Sequence, residues 1–134
     1  MEKEILKKIF TFLEEEENKD KPFMWKLMNN EPLTDEELFV EGDLDLTETD
    51  IESLPDGLNV EDNLSLYGCK NIQSLPEGLK VGEDLELQNT PIQLLPKGLK
   101  VWGRLFIKNT PLTKYSTEEL RQMVNPGYIN NIIR

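Results

Sequence analysis

Three copies of Leu-Pro-x-Gly-Leu constrain this chain more than any other feature. They stand at Leu54-Pro55-Asp56-Gly57-Leu58, Leu75-Pro76-Glu77-Gly78-Leu79 and Leu95-Pro96-Lys97-Gly98-Leu99, spaced by 21 and then 20 residues. A Val follows each copy by two positions, at Val60, Val81 and Val101. A motif returning at a fixed short period specifies a stack of like units, because one unit has no core of its own and buries its apolar face on its neighbours. Pro and Gly in each copy exclude a full helix at that point.

Alignment on Val40, Val60, Val81 and Val101 gives four units. Four and six residues after each Val comes an apolar pair: Leu44/Leu46, Leu64/Leu66, Leu85/Leu87 and Leu105/Ile107. That alternation predicts a short strand with one side inward. A small residue follows (Thr49, Cys69, Thr90, Thr110), then an apolar one (Ile51, Ile72, Ile92, Leu112). In the fourth unit Tyr115 stands where the motif's first Leu would be, and the second unit carries one extra residue near Lys70-Asn71.

This pattern resembles the leucine-rich repeat (LRR), in the short bacterial and phage form with Leu-Pro in each unit. The resemblance covers residues 40–115. It implies an α/β solenoid of about four repeats, with parallel strands on a concave face and irregular, extended or 3₁₀ turns on the convex side. It departs from the family in having Thr, at three of four units, where Asn or Cys is usual.

Open-ended stacks need covered ends, and both flanks read as helical caps, residues 1–39 and 116–134. Ile5, Leu6, Ile9, Phe10 and Leu13 lie at helical spacing within residues 2–17. Phe23, Met24, Trp25, Leu27 and Met28 form a second apolar cluster, and Thr34-Asp35-Glu36-Glu37 has capping-box spacing. Ser116-Thr117-Glu118-Glu119 repeats that spacing ahead of Leu120, Met123 and Val124, predicting a helix of two turns. Tyr128, Ile129, Ile132 and Ile133 are expected to fold back on the last repeat. Trp25 is expected inside the N-terminal cap, and Trp102 beneath the C-terminal one.

The net charge of −11 argues against a nucleic-acid or anionic-membrane binder, both of which need a basic surface. No apolar run reaches membrane-spanning length, and Met1-Glu2-Lys3-Glu4 opens no apolar leader. The one cysteine, Cys69, has no internal disulfide partner and falls at an inward position, which points to a buried thiol and to the cytoplasm; the resemblance implies that of a bacterium or of an infected host cell. There is no His, which removes the commonest general base and metal ligand.

The residues alternating with the inward leucines point outward, and in the family that concave face binds partners. Here it would show Asp43 and Asp45, then Tyr67, then Asp84 and Glu86, then Arg104, Phe106 and Lys108. Charge is segregated along it: residues 41–66 hold no basic residue, and residues 87–117 hold no acidic one. Asp43-Leu44-Asp45 followed by Asp50 fails as a calcium loop, since Glu48 and Leu54 stand where Gly and Glu are required. Asp43/Asp45 and Asp84/Glu86 are two units apart, on the order of 10 Å by strand spacing. A shallow sheet would not raise either pKa for general-acid work. The reading is therefore a non-catalytic protein–protein interaction module with no cofactor and no metal, and the resemblance implies a small adaptor or inhibitor of bacterial or phage origin. Its partner is another protein, for which a basic patch would suit the acidic end. A self-assembling structural subunit is the alternative, and a carboxylate-based glycan hydrolase comes third.

Overall fold

The computed structural model describes residues 22–134. The expected helix over residues 2–17 lies outside them. From residue 39 onward the chain winds as a parallel-strand β-solenoid of about three turns. Each of the first three coils contributes two two-residue strands: β1 (Phe39–Val40) and β2 (Leu44–Asp45), β3 (Asn59–Val60) and β4 (Leu64–Ser65), β5 (Lys80–Val81) and β6 (Leu85–Glu86). In the fourth coil the pair fuses into one seven-residue strand, β7 (Lys100–Phe106). All pairings are parallel, with β1-β3-β5 on one flank of β7 and β2-β4-β6 on the other.

The register places equivalent residues in columns. Val40, Val60, Val81 and Val101 share one, and Leu44, Leu64, Leu85 and Leu105 another. These columns and those of Leu46, Ile51, Leu54 and Leu58 form a single apolar core, nearly all of it without solvent contact. The Leu-Pro-x-Gly-Leu motif supplies two of those columns and the return turn between them. In each copy the second Leu N–H donates to the Pro carbonyl, as in Leu58 to Pro55 at 3.4 Å. Gly57, Gly78 and Gly98 take φ between 73° and 83°, the left-handed value that such a turn asks of its third residue. No α-helix forms on the return side of the first three coils; the fourth carries a 3₁₀ turn, Pro111–Lys114, followed by the helix Thr117–Val124.

The inward small residue has a specific task. Thr90 Oγ1 donates to Leu87 O at 2.8 Å, and Thr110 Oγ1 to Ile107 O at 2.6 Å. Cys69 Sγ donates to Leu46 O at 2.9 Å and is fully buried. A short side chain with one donor is what this column selects.

The ends differ from expectation. At the N-terminal side Phe23–Met28 forms α1, a six-residue helix that sends Leu27 into the core. Its buried Lys26 bonds both Glu37 carboxylate oxygens, at 2.9 and 3.1 Å. Glu37 belongs to the Thr34 capping box, observed in both directions. Trp25 is not core: it is more than one-third exposed, at 39%. At the C-terminal side the helix is α2 (Thr117–Val124), opened by the Ser116–Glu119 capping box. The remainder is not helical. Tyr128–Ile133 is a strand, β8, that pairs in parallel with β7 and adds a further rung. The connection through α2 is the crossover that parallel pairing requires. Ile129 extends the Val column inward, so fold-back on the last repeat is replaced by continuation of it. Among the described residues no helix is long and apolar enough to cross a membrane.

Candidate functional site

Because the core columns point in, the alternate columns form an outward strand face. Asp43, Asn63, Asp84 and Arg104 make one column, bonded head to tail. Asn63 N–H donates to Asp43 Oδ1 at 2.9 Å, Asp84 N–H to Asn63 Oδ1 at 2.9 Å, and Arg104 N–H to Asp84 Oδ1 at 2.8 Å. Each Asx side chain thus accepts the backbone N–H of the next coil. This ladder satisfies donors that two-residue strands leave over, and it fixes the spacing between coils. Asp43 and Asp84, expected to meet a partner, are committed at Oδ1 to the solenoid itself.

The ladder ends in an ion pair. Arg104 Nη2 meets Asp84 Oδ2 at 2.9 Å, and the guanidinium lies 5.2 Å from the centre of the Phe106 ring. The hydrogen bond from Arg104 is the main cause holding the Asp84 carboxyl below its ordinary value, and Asp84 in turn raises Arg104. Asp45 is also held low, chiefly by the Thr47 hydroxyl at 2.6 Å and then by the Thr47 N–H. Both of these carboxylates are set to stay ionised, the opposite of what a general acid needs.

A shallow groove of about 310 Å³ lies over the first three coils and gathers Asp43, Asp45, Asn63, Ser65, Asp84 and Glu86. Tyr67, Arg104, Phe106 and Lys108 do not line it. Tyr67 stands 39% exposed, Lys108 is exposed and Phe106 is half-buried against Arg104. The Gln88 Oε1 atom, in the column between Tyr67 and Lys108, is buried without a hydrogen-bond partner among the described residues. No group of three Asp, Glu or Cys side chains among those residues is gathered closely enough to hold a metal ion.

A second part of the face was not among the expected site residues. The strands β1, β3, β5, β7 and β8 align Phe39, Asn59, Lys80, Lys100 and Tyr128 in one outward column. Two residues further along each of the first four strands stand Glu41, Glu61, Gly82 and Trp102. Trp102 does not pack beneath a cap: it is 50% exposed, and Tyr128 is 49% exposed. Gly82 cannot be otherwise, since a Cβ there would lie 1.8 Å from Glu61 O. The sequence signal was the Val column, whose flanking positions must point outward by the same alternation as the Leu column's.

The chain matches no protein-family model, no curated protein and no solved structure.

Proposed function

We propose that this chain is a non-catalytic protein-binding module that engages its partner through the outward strand face. The observation carrying the reading is that aromatic side chains stand open along the outward strand face, Trp102 and Tyr128 on strands and Tyr67 in the turn after β4. Tyr67, Trp102 and Tyr128 are each at least 39% exposed where a polar residue would cost less. Aromatic residues and Arg are enriched where binding energy concentrates. Charge segregation along the face adds orientation and encounter rate. The hydrogen bonds that hold the Asp45 and Asp84 carboxyls low suit neither to act as a general acid. On the repeat pattern, the module is of LRR type, with α2 and β8 as its C-terminal cap. By the same resemblance it is a small adaptor or inhibitor of bacterial or phage origin, acting in the cytoplasm.

The test is capture of a partner, its identification by mass spectrometry, and a binary affinity with the purified partner. Reversal of charge at Arg104 and Lys108 together, or Tyr67→Ala with Phe106→Ala, should abolish that affinity while the thermal transition is retained. Undiminished affinity in folded variants would remove the strand face from the reading.

A second reading rests on β8, which has no strand beyond it among the described residues. An open edge invites another chain, and self-assembly would appear as a mass that grows with concentration in light scattering. Arg121 works against it: its guanidinium donates to Ile129 O and Asn130 O, masking carbonyls of that strand.

A further inference from the structure

We propose that the C-terminal part of the strand face, centred on Lys80, Lys100, Trp102 and Tyr128, is a docking surface for an extended acidic segment of a partner protein. The inference rests on the strand-face reading above and adds the partner's chemistry. Lys80 and Lys100 are direct cross-strand neighbours in the parallel register. Rungs are about 4.8 Å apart, and like charges held that way disfavour the fold. Among the described residues neither ammonium has a carboxylate within ion-pair distance; the two pairs present are Lys26–Glu37 and Arg104–Asp84. Asn59 and Tyr128, the neighbours on either side of this column, are uncharged. Two stacked, uncompensated ammonium groups are complementary to a carboxylate seated between them.

The surroundings specify the rest of the ligand. Trp102 stands beside Lys100 on β7, with half its surface open, and Tyr128 closes the column. Gly82 adds no side chain to the rung before Trp102. An extended chain places side chains alternately, so a peptide alternating acidic and apolar residues could seat a carboxylate at the lysines and an apolar group on the indole. Glu41 and Glu61, in the Trp102 column at the other end, would repel the same peptide and so set its position.

The probe is a fluorescein-labelled decapeptide alternating Glu and Leu, titrated into the full chain at low salt and followed by anisotropy. A control peptide carries Lys at each Glu, and a thymidine oligonucleotide provides a second kind of anion. Preferential binding of the Glu peptide is expected, weakened at least about tenfold by Trp102→Ala and by Lys80→Glu with Lys100→Glu. Lys70→Gln, an exposed cation on the return side, should leave it unchanged. Should Trp102→Ala fail to fold, the lysine pair, exposed at Lys80 and partly exposed at Lys100, carries the test alone. No preference over the Lys peptide, tighter binding of the oligonucleotide, indifference to the lysine reversal, or a doubling of mass without peptide would each overturn the proposal. If the chain still captures a partner through Tyr67 and Phe106 in that case, the strand-face reading stands and only the acidic segment is lost.

Discussion

Coils one to three and the fourth coil with β8 are built on one register but use their outward side differently. In the first three, the outward column Asp43-Asn63-Asp84 is spent on the ladder, and two-residue strands alternate with bends. In the fourth, Arg104 breaks the ladder, the two strands merge into β7, and Trp102, Arg104 and Phe106 follow one another on the outside. What the difference teaches is that regularity on this face marks residues occupied with holding coils together. Irregularity marks residues left for something else.

The largest test of that division is in the core, where the two regions should behave alike. Leu85→Ala in the third coil and Leu105→Ala in the fourth each remove a fully buried side chain. Each should lower stability by about 3–5 kcal/mol in urea denaturation. A cost below about 1 kcal/mol at Leu105 would mean that the fourth coil lies outside the cooperative unit.

The outward column should separate them. Asn63→Ala removes the acceptor of Asp84 N–H and the donor to Asp43, at a cost of about 1–2 kcal/mol. Arg104→Ala removes an exposed guanidinium while the backbone N–H at that position keeps its bond, and should cost distinctly less than Asn63→Ala. Equal costs would erase the distinction.

Acid should act in the same direction on the ladder. Asp84 and Asp45 are held below their ordinary values, by the Arg104 side chain and the Thr47 hydroxyl respectively. Glu119 is also lowered, by the Ser116 backbone N–H first. For Glu37, burial raises the carboxyl, but the bonds from Lys26 and Thr34 outweigh it. A carboxylate depressed in the folded state stabilises fully above its unfolded value, near 4, and that contribution is lost as pH falls through the folded value. The melting temperature should thus hold from pH 7 to 5 and decline below about 4. A midpoint unchanged at pH 3 would show that these bonds contribute nothing.

The smallest effect concerns one turn position. Glu48, Gly68, Asn89 and Asn109 occupy equivalent places with φ of 57°, 71°, 60° and 56°. Gly and Asn suit that left-handed conformation and Glu does not. Glu48→Asn should therefore stabilise by about 0.5 kcal/mol, measured as a small rise in melting temperature. A loss instead would mean that the Glu48 side chain contributes a contact there.

The inward half of this architecture was legible because the signal is redundant. Four units repeat Val, Leu, Leu, small and apolar positions in register, so misplacing one would misplace all. Both capping boxes, at Thr34 and Ser116, also read correctly, since each is a local pairing of a hydroxyl with a carboxylate three residues on. The rung at β8 was not legible: Tyr128–Ile133 follows no Leu-Pro-x-Gly-Leu, and its partner strand lies across a helix. Nor was the ladder. Asp43, Asn63 and Asp84 identify an outward column, but whether an Asx oxygen faces solvent or the next backbone N–H depends on where that coil sits. The exposure of Trp102 was misjudged because the segment expected to cover it continues the sheet edge and does not fold over the face. The Lys26–Glu37 bond joins residues with no periodic relation to one another, so nothing in the pattern signalled it.

The extra residue of the second unit carries a consequence for how such a chain can change. Lys70 and Asn71, where it lies, are both exposed, and the strands on either side keep register across it, Leu64 against Leu85 as Leu44 against Leu64. Length is thus variable on the return side and fixed on the strand side. Duplication of one whole coil would extend the display surface by a single rung, about 4.8 Å, without disturbing those already there. A molecule organised in this way can adjust its reach in discrete increments, with the composition of each added rung free to differ from the last.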